Sequence, residues 1–119
     1  MSTVRSIDPR AREAYLRELT ALAGRLAAEL GALEVYLFGS LARGDQHEGS
    51  DIDLLVVGRF PGRAVDWIGQ VMERSTLPVE PLVVRPETLA QRLAEGHPLY
   101  TRAMREAIRL YPPAAPGPG

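Results

Sequence analysis

The chain has 119 residues, 45% hydrophobic and 24% charged, with a formal net charge of −1, which is one domain's worth of ordinary globular sequence. Balanced charge excludes a global basic field for coating nucleic acid or an anionic membrane, so no extended nucleic-acid binding is expected. The absence of cysteine excludes disulfides, zinc–thiolate sites and a cysteine nucleophile, and because all 14 basic residues are arginine there is no P-loop or Schiff-base lysine.

The first residues, Met1 to Arg5, carry no apolar leader. No run of about 18 apolar residues suggests a membrane span. A cytoplasmic protein is expected. Asp8-Pro9 reads as a helix start, a capping carboxylate followed by proline at the first helical position. Leu16, Leu19, Leu22, Ala23, Leu26, Ala27 and Leu30 then follow one face of a 3.6-residue period. Gly31 suits the C-cap. Glu34 to Phe38 is a strand, apolar on both faces and therefore central in a sheet. It ends at Gly39, where Gly39-Ser40-Leu41-Ala42-Arg43-Gly44 forms a turn and a short helix. The polar segment 44–49 is a loop. Asp51 to Val57 is the second strand. With one helical turn between them, these strands should be antiparallel neighbours.

Pro61-Gly62 precedes a helix over Arg63 to Arg74 whose inward stripe is predicted as Val65, Ile68, Val71 and Met72. Trp67 reads as a packing residue. Leu77 to Val84 is the third strand. Pro78 and Pro81 cannot donate to a ladder, which places it at an edge or gives it a bulge near Glu80. Pro86 to Glu95 is a helix with Gly96 as its stop, and Glu87 in its first turn favours the helix dipole. His97-Pro98 opens a last helix, to about Leu110. The expected organisation is one domain through residue 111 and a flexible Pro/Gly-rich tail over 112–119. The fold class is α/β (α+β), a three-stranded mixed sheet packed by helices.

The chemistry concentrates in residues 39–53. Gly39 permits a backbone angle closed to other residues and leaves room for an anion at the amides. Ser40 adds a hydroxyl, and the free N–H groups of a helix start attract phosphate. Arg43 can return a forked donor to the same anion. Asp51 and Asp53, two apart on a strand, share a face with Cα atoms roughly 6.5–7 Å apart. Leu55 and Val57 continue that face, so it begins with two carboxylates and proceeds apolar. Such carboxylates are costly unless a cation meets them. Hard oxygen ligands beside a phosphate turn suit a magnesium-bound triphosphate.

These residues, Gly39-Ser40-Leu41-Ala42-Arg43-Gly44 and then Ser50-Asp51-Ile52-Asp53-Leu54-Leu55-Val56, resemble the signature of the DNA polymerase beta-type nucleotidyltransferase superfamily, in its minimal nucleotidyltransferase branch. The resemblance implies that fold and a two-magnesium transfer of a nucleoside monophosphate, AMP from ATP. It implies that Gly39 and Ser40 hold the terminal phosphates, supported by Arg43, and that Asp51 and Asp53 ligate the metals. It also implies a third carboxylate on the third strand, for which Glu80 is the candidate. Aspartate without a following proline is usual there, so Glu80 before Pro81 departs from the pattern. Members of this branch pair with a helical HEPN-domain toxin, as antitoxins that adenylylate it, bind it, or both. Three readings stand at this point: an adenylylating enzyme, a binding module that neutralises its partner by covering it, and a subunit of a larger or homo-oligomeric transferase.

Overall fold

The structure is a computed structural model and describes residues 7–113. Residues 1–6 and all of the expected tail beyond Pro113 lie outside the described residues. The elements in chain order are α1 (Arg12–Leu30), β1 (Ala32–Phe38), α2 (Ser40–Arg43), β2 (Ile52–Gly58), α3 (Ala64–Glu73), β3 (Val79–Val84), α4 (Pro86–Ala94), α5 (Pro98–Glu106) and β4 (Ile108–Tyr111). The sheet has four strands rather than the expected three, in the order β3-β2-β1-β4. β1 runs antiparallel to both β2 and β4, while β2 and β3 are parallel. This is the mixed α+β sheet that the element order implies.

The fourth strand corrects the expected last helix. Ala107, Ile108 and Tyr111 fit a helical period, but α5 stops at Glu106 and Ala107 is already extended (φ −62°, ψ 138°). Central β1 would otherwise present an unpaired edge, and Leu37 pairs with Ile108 to close it. At the other end of the chain, α1 begins at Arg12 rather than beside Pro9. The Asp8 carboxylate accepts from Arg10 N (2.9 Å) and Ala11 N donates to Asp8 O (3.0 Å), so Asp8 closes a turn before the helix instead of capping it. Gly31, left-handed at φ 77°, terminates α1 as predicted.

One face of the sheet carries the main core. Tyr15, Leu19, Leu22, Ala23 and Leu26 of α1, with Trp67 and Val71 of α3, pack on Val35, Leu37, Leu54, Val56, Val79 and Val83. The predicted stripe of α3 is rotated. Val65 is 58% exposed and Met72 51%, whereas Trp67 is buried and Ile68 half-buried. Trp67 turns the helix: its indole N–H donates to Pro61 O (3.2 Å) and its ring lies 4.4 Å from that of Phe60. The opposite face is thinner. Leu55, Val57, Val84 and Leu89 are buried there, with Tyr36, Phe38, Leu82, Tyr100 and Met104 around them. It is covered by α4 and α5, each of nine residues.

Candidate active site

The C-terminal end of β1 and the N-terminal ends of β2, β3 and β4 meet at one margin of the sheet. Every residue singled out from the sequence lies there. β3 is an edge strand, as its prolines imply, but it is not bulged. Its register with β2 runs unbroken from Ile52↔Val79 to Val57↔Val84 and places Asp53 directly opposite Glu80. Paired residues of a parallel ladder project to the same face. Pro81 therefore leaves Glu80 in line with Asp53. Phe38 flanks Asp53 on the other side, and a shallow recess is lined by Phe38, Asp53, Glu80, Pro81, Leu82 and the half-exposed Leu99 of α5. A second recess, between α1 and the α3–β3 loop, is lined by Leu22, Arg25, Arg74 and Thr76 and contains none of the predicted residues.

The turn and the carboxylate strand touch at Gly39. Its φ of 80° and ψ of −157° lie in a region open only to glycine. A Cβ there would also fall 2.1 Å from Asp53 Oδ2. Glycine is thus required twice, by backbone angle and by the carboxylate packed against its Cα. Ser40, Leu41 and Ala42 open α2, where N–H groups have no acceptor within the helix. Arg12 of α1 steadies the other end of α2, with Nε donating to Leu41 O (2.8 Å) and Nη2 to Ala42 O (3.0 Å). The loop before β2 is fixed by Ser50, whose hydroxyl accepts from His47 N (2.9 Å). That brings exposed Asp51 to the start of β2.

Burial raises the pKa of Asp53 above the ordinary carboxylate value, and the neighbouring charges of Glu80 and Asp51 raise it further. Arg43 and Arg102 oppose this in smaller measure. A half-buried carboxylate surrounded by like charges is short of a cation. The donor set, three hard carboxylates with no sulfur or imidazole among them, fits magnesium. Among the described residues, no three His, Cys, Asp or Glu side chains are gathered tightly enough to enclose a metal ion. The site is an open acidic mouth rather than a cage. Magnesium keeps several waters and takes one or two carboxylates together with substrate phosphates, which an open mouth can accommodate.

Three contacts around the turn carry no signal in the sequence. Arg43 is not a free donor: its Nε donates to Asp45 (3.1 Å) and its Nη1 to Glu106 (3.0 Å). Glu106, the last residue of α5, also accepts from Gly39 N (3.1 Å). Nothing local marks Glu106, which lies 63 positions beyond Arg43 in an unremarkable helical stretch.

Comparison with known proteins agrees with this fold. The sequence model of the nucleotidyltransferase domain matches residues 19–101, well over half of the chain. The structure is similar to the crystal structure, at 1.40 Å, of a Sulfolobus solfataricus protein described as a candidate nucleotidyltransferase. The two are 27% identical with a TM-score of 0.57, over 69% of this chain and 77% of that one. No curated protein matches the chain in sequence. The family match spans the Gly39 turn, the aspartate strand and the Glu80 strand together, and on that ground the chain belongs to the nucleotidyltransferase domain family.

Proposed function

We propose that this chain transfers a nucleoside monophosphate, AMP, from magnesium-bound ATP to a hydroxyl on a partner protein of the HEPN-domain type, and so acts as an antitoxin. One observation carries the reading: Asp53 and Glu80 stand in register across the β2–β3 pair while Asp53 abuts the Gly39 turn. Asp51, Asp53 and Glu80 would hold the magnesium ions. Bound there, magnesium would lower the pKa of the acceptor hydroxyl and offset charge on the attacking and leaving oxygens.

The remaining steps belong to the chain's own residues. The amides at the start of α2 and the Ser40 hydroxyl receive the terminal phosphates. The glycine turn keeps side-chain bulk away from them. Glu80, exposed on the edge strand, faces the open side from which an acceptor arrives and takes up its proton. The acceptor oxygen bonds to the α-phosphorus and pyrophosphate leaves toward the turn. Leu99 and Phe38 give the acceptor an apolar wall beside the carboxylates.

The openness of the carboxylates favours a second reading, in which the chain neutralises its partner by covering it. Labelling separates the two. With α-phosphate-labelled ATP and Mg²⁺, the HEPN-domain partner becomes labelled by the wild-type chain and not by Asp51→Ala or Asp53→Ala. Partner binding without label transfer would leave only the covering role.

A further inference from the structure

Glu106 gathers donors from three places at once. Its Oε2 accepts from Gly39 N (3.1 Å), and its Oε1 from Arg43 Nη1 (3.0 Å), with Arg102 Nε at 3.4 Å. The carboxylate is only 15% exposed. A tie that merely fastened α5 to the sheet would need one of these contacts. Here a single carboxylate restrains the peptide entering the phosphate turn and holds two guanidiniums beside the acidic mouth. We propose that Glu106 is a positioning residue for nucleotide binding: from the end of α5 it sets the Gly39 peptide and keeps Arg43 and Arg102 off the metal-binding carboxylates. The proposal rests on the nucleotidyltransferase reading above.

The physical case has two parts. Gly39 occupies a conformation with Asp53 Oδ2 pressed against its Cα, and its N–H is the donor that fixes the plane of that peptide. Without an acceptor at that N–H, the peptide is free to turn and the following amides lose their common direction. Arg43 and Arg102 already act on Asp53 electrostatically. Deprived of Glu106, both lose a carboxylate partner while Asp53 stays within their electrostatic reach, and a guanidinium drawn to it competes with magnesium. This gives a sign opposite to plain electrostatics. Removing a negative charge beside a phosphate turn should strengthen anion binding by Coulomb's law, whereas loss of the positioning contact weakens it.

The test is calorimetric titration of the full chain with the magnesium complex of a non-hydrolysable ATP analogue, with thermal unfolding recorded for every variant. Glu106→Ala is expected to weaken binding about tenfold. Glu106→Gln keeps an acceptor of full length for Gly39 N but loses the charge that holds the two guanidiniums, and its affinity falls between those of the wild type and the alanine variant. Glu106→Asp keeps the charge but is one methylene too short to span Gly39 and Arg43, and it falls with the alanine variant. Glu29→Ala, which removes a partner of Arg25 and Arg74 elsewhere on the surface, leaves binding unchanged. Should the alanine variant not fold, the order of glutamine above aspartate decides. Equal affinities for all variants, or tighter binding by Glu106→Ala, would overturn the proposal; tighter binding would mark Glu106 as a competing anion. A wild-type chain that does not bind the analogue removes the nucleotide reading, and the proposal with it.

Discussion

The two faces of the sheet are built for different work. The face under α1 and α3 is closed. Leu19, Leu26, Leu37, Leu54 and Val71 are buried to within 1% of full enclosure, and they come from two helices and two strands. The face under α4 and α5 has two nine-residue helices and a small buried set ending in Leu89. At the margin of that thinner face, side chains at Asp53 and Glu80 replace the apolar residues that continue along β2 and β3. The proposed transfer, from a metal-bound triphosphate to a protein acceptor, would need uncovered sheet at that margin. The lesson is a division of labour within one sheet: stability is concentrated on one face, and the other remains open where carboxylates start its strands.

Large-to-small substitution on each face should separate the two. Leu26→Ala, at a fully enclosed position, should cost about 3–5 kcal/mol in urea unfolding. Leu89→Ala, near the edge of the smaller cluster, should cost about 2 kcal/mol. Equal losses would contradict the asymmetry.

Next in size are the functional substitutions on the thin face. Asp53→Asn should lower affinity for the magnesium–triphosphate complex by at least about tenfold, measured by calorimetry. It should also raise the melting temperature of the metal-free chain. The folded state holds the Asp53 proton more tightly than the unfolded chain does, because its pKa lies above 3.8. Stability therefore falls as pH rises from 3.8 through the raised value and stays lower above it. The gain from asparagine should be present at neutral pH, fade as pH drops toward 3.8, and shrink when magnesium and nucleotide are added. A melting temperature lowered by Asp53→Asn would mean that the carboxylate is structural.

The smallest effect is expected at Val65 of α3. Val65→Thr, at a position 58% exposed, should shift stability by no more than about 0.5 kcal/mol. Trp67→Ala, three-dimensionally opposite on the same helix, should cost about 3–5 kcal/mol. A large loss at Val65 would mean that the helix is rotated to the face its apolar pattern suggests.

These helices also show where sequence reading succeeds and fails. α1 and its glycine stop were legible because its stripe is long and periodic. β1 and β2 were legible from residue type, and the edge position of β3 from Pro78 and Pro81, which remove donors. The α3 stripe was misread because Val65 and Met72 satisfy the period as well as Trp67 and Ile68 do, and the Trp67–Pro61 hydrogen bond and Phe60 contact decide among them. β4 was misread because the demand for it comes from the open edge of β1, more than 70 positions away. At the site, the glycine turn and the aspartate strand were marked by residue type and spacing, and the structure brings Gly39 against Asp53. Glu80 could be named only through the family pattern, and the in-phase register of β2 and β3 explains its place. Glu106 has no local signal, since its partners Gly39 and Arg43 are brought to it by the return of the chain into β4.

On the proposed reading, the acidic margin of the thin face binds the metal–triphosphate complex. The most direct measurement is a nuclear magnetic resonance titration of the isotopically labelled chain with Mn²⁺ and a non-hydrolysable ATP analogue. Paramagnetic broadening should appear first at Gly39, Ser40, Asp53 and Glu80 and should be lost in Asp53→Asn. Broadening centred on the α1–α3 face, or retained unchanged in Asp53→Asn, would contradict the claim.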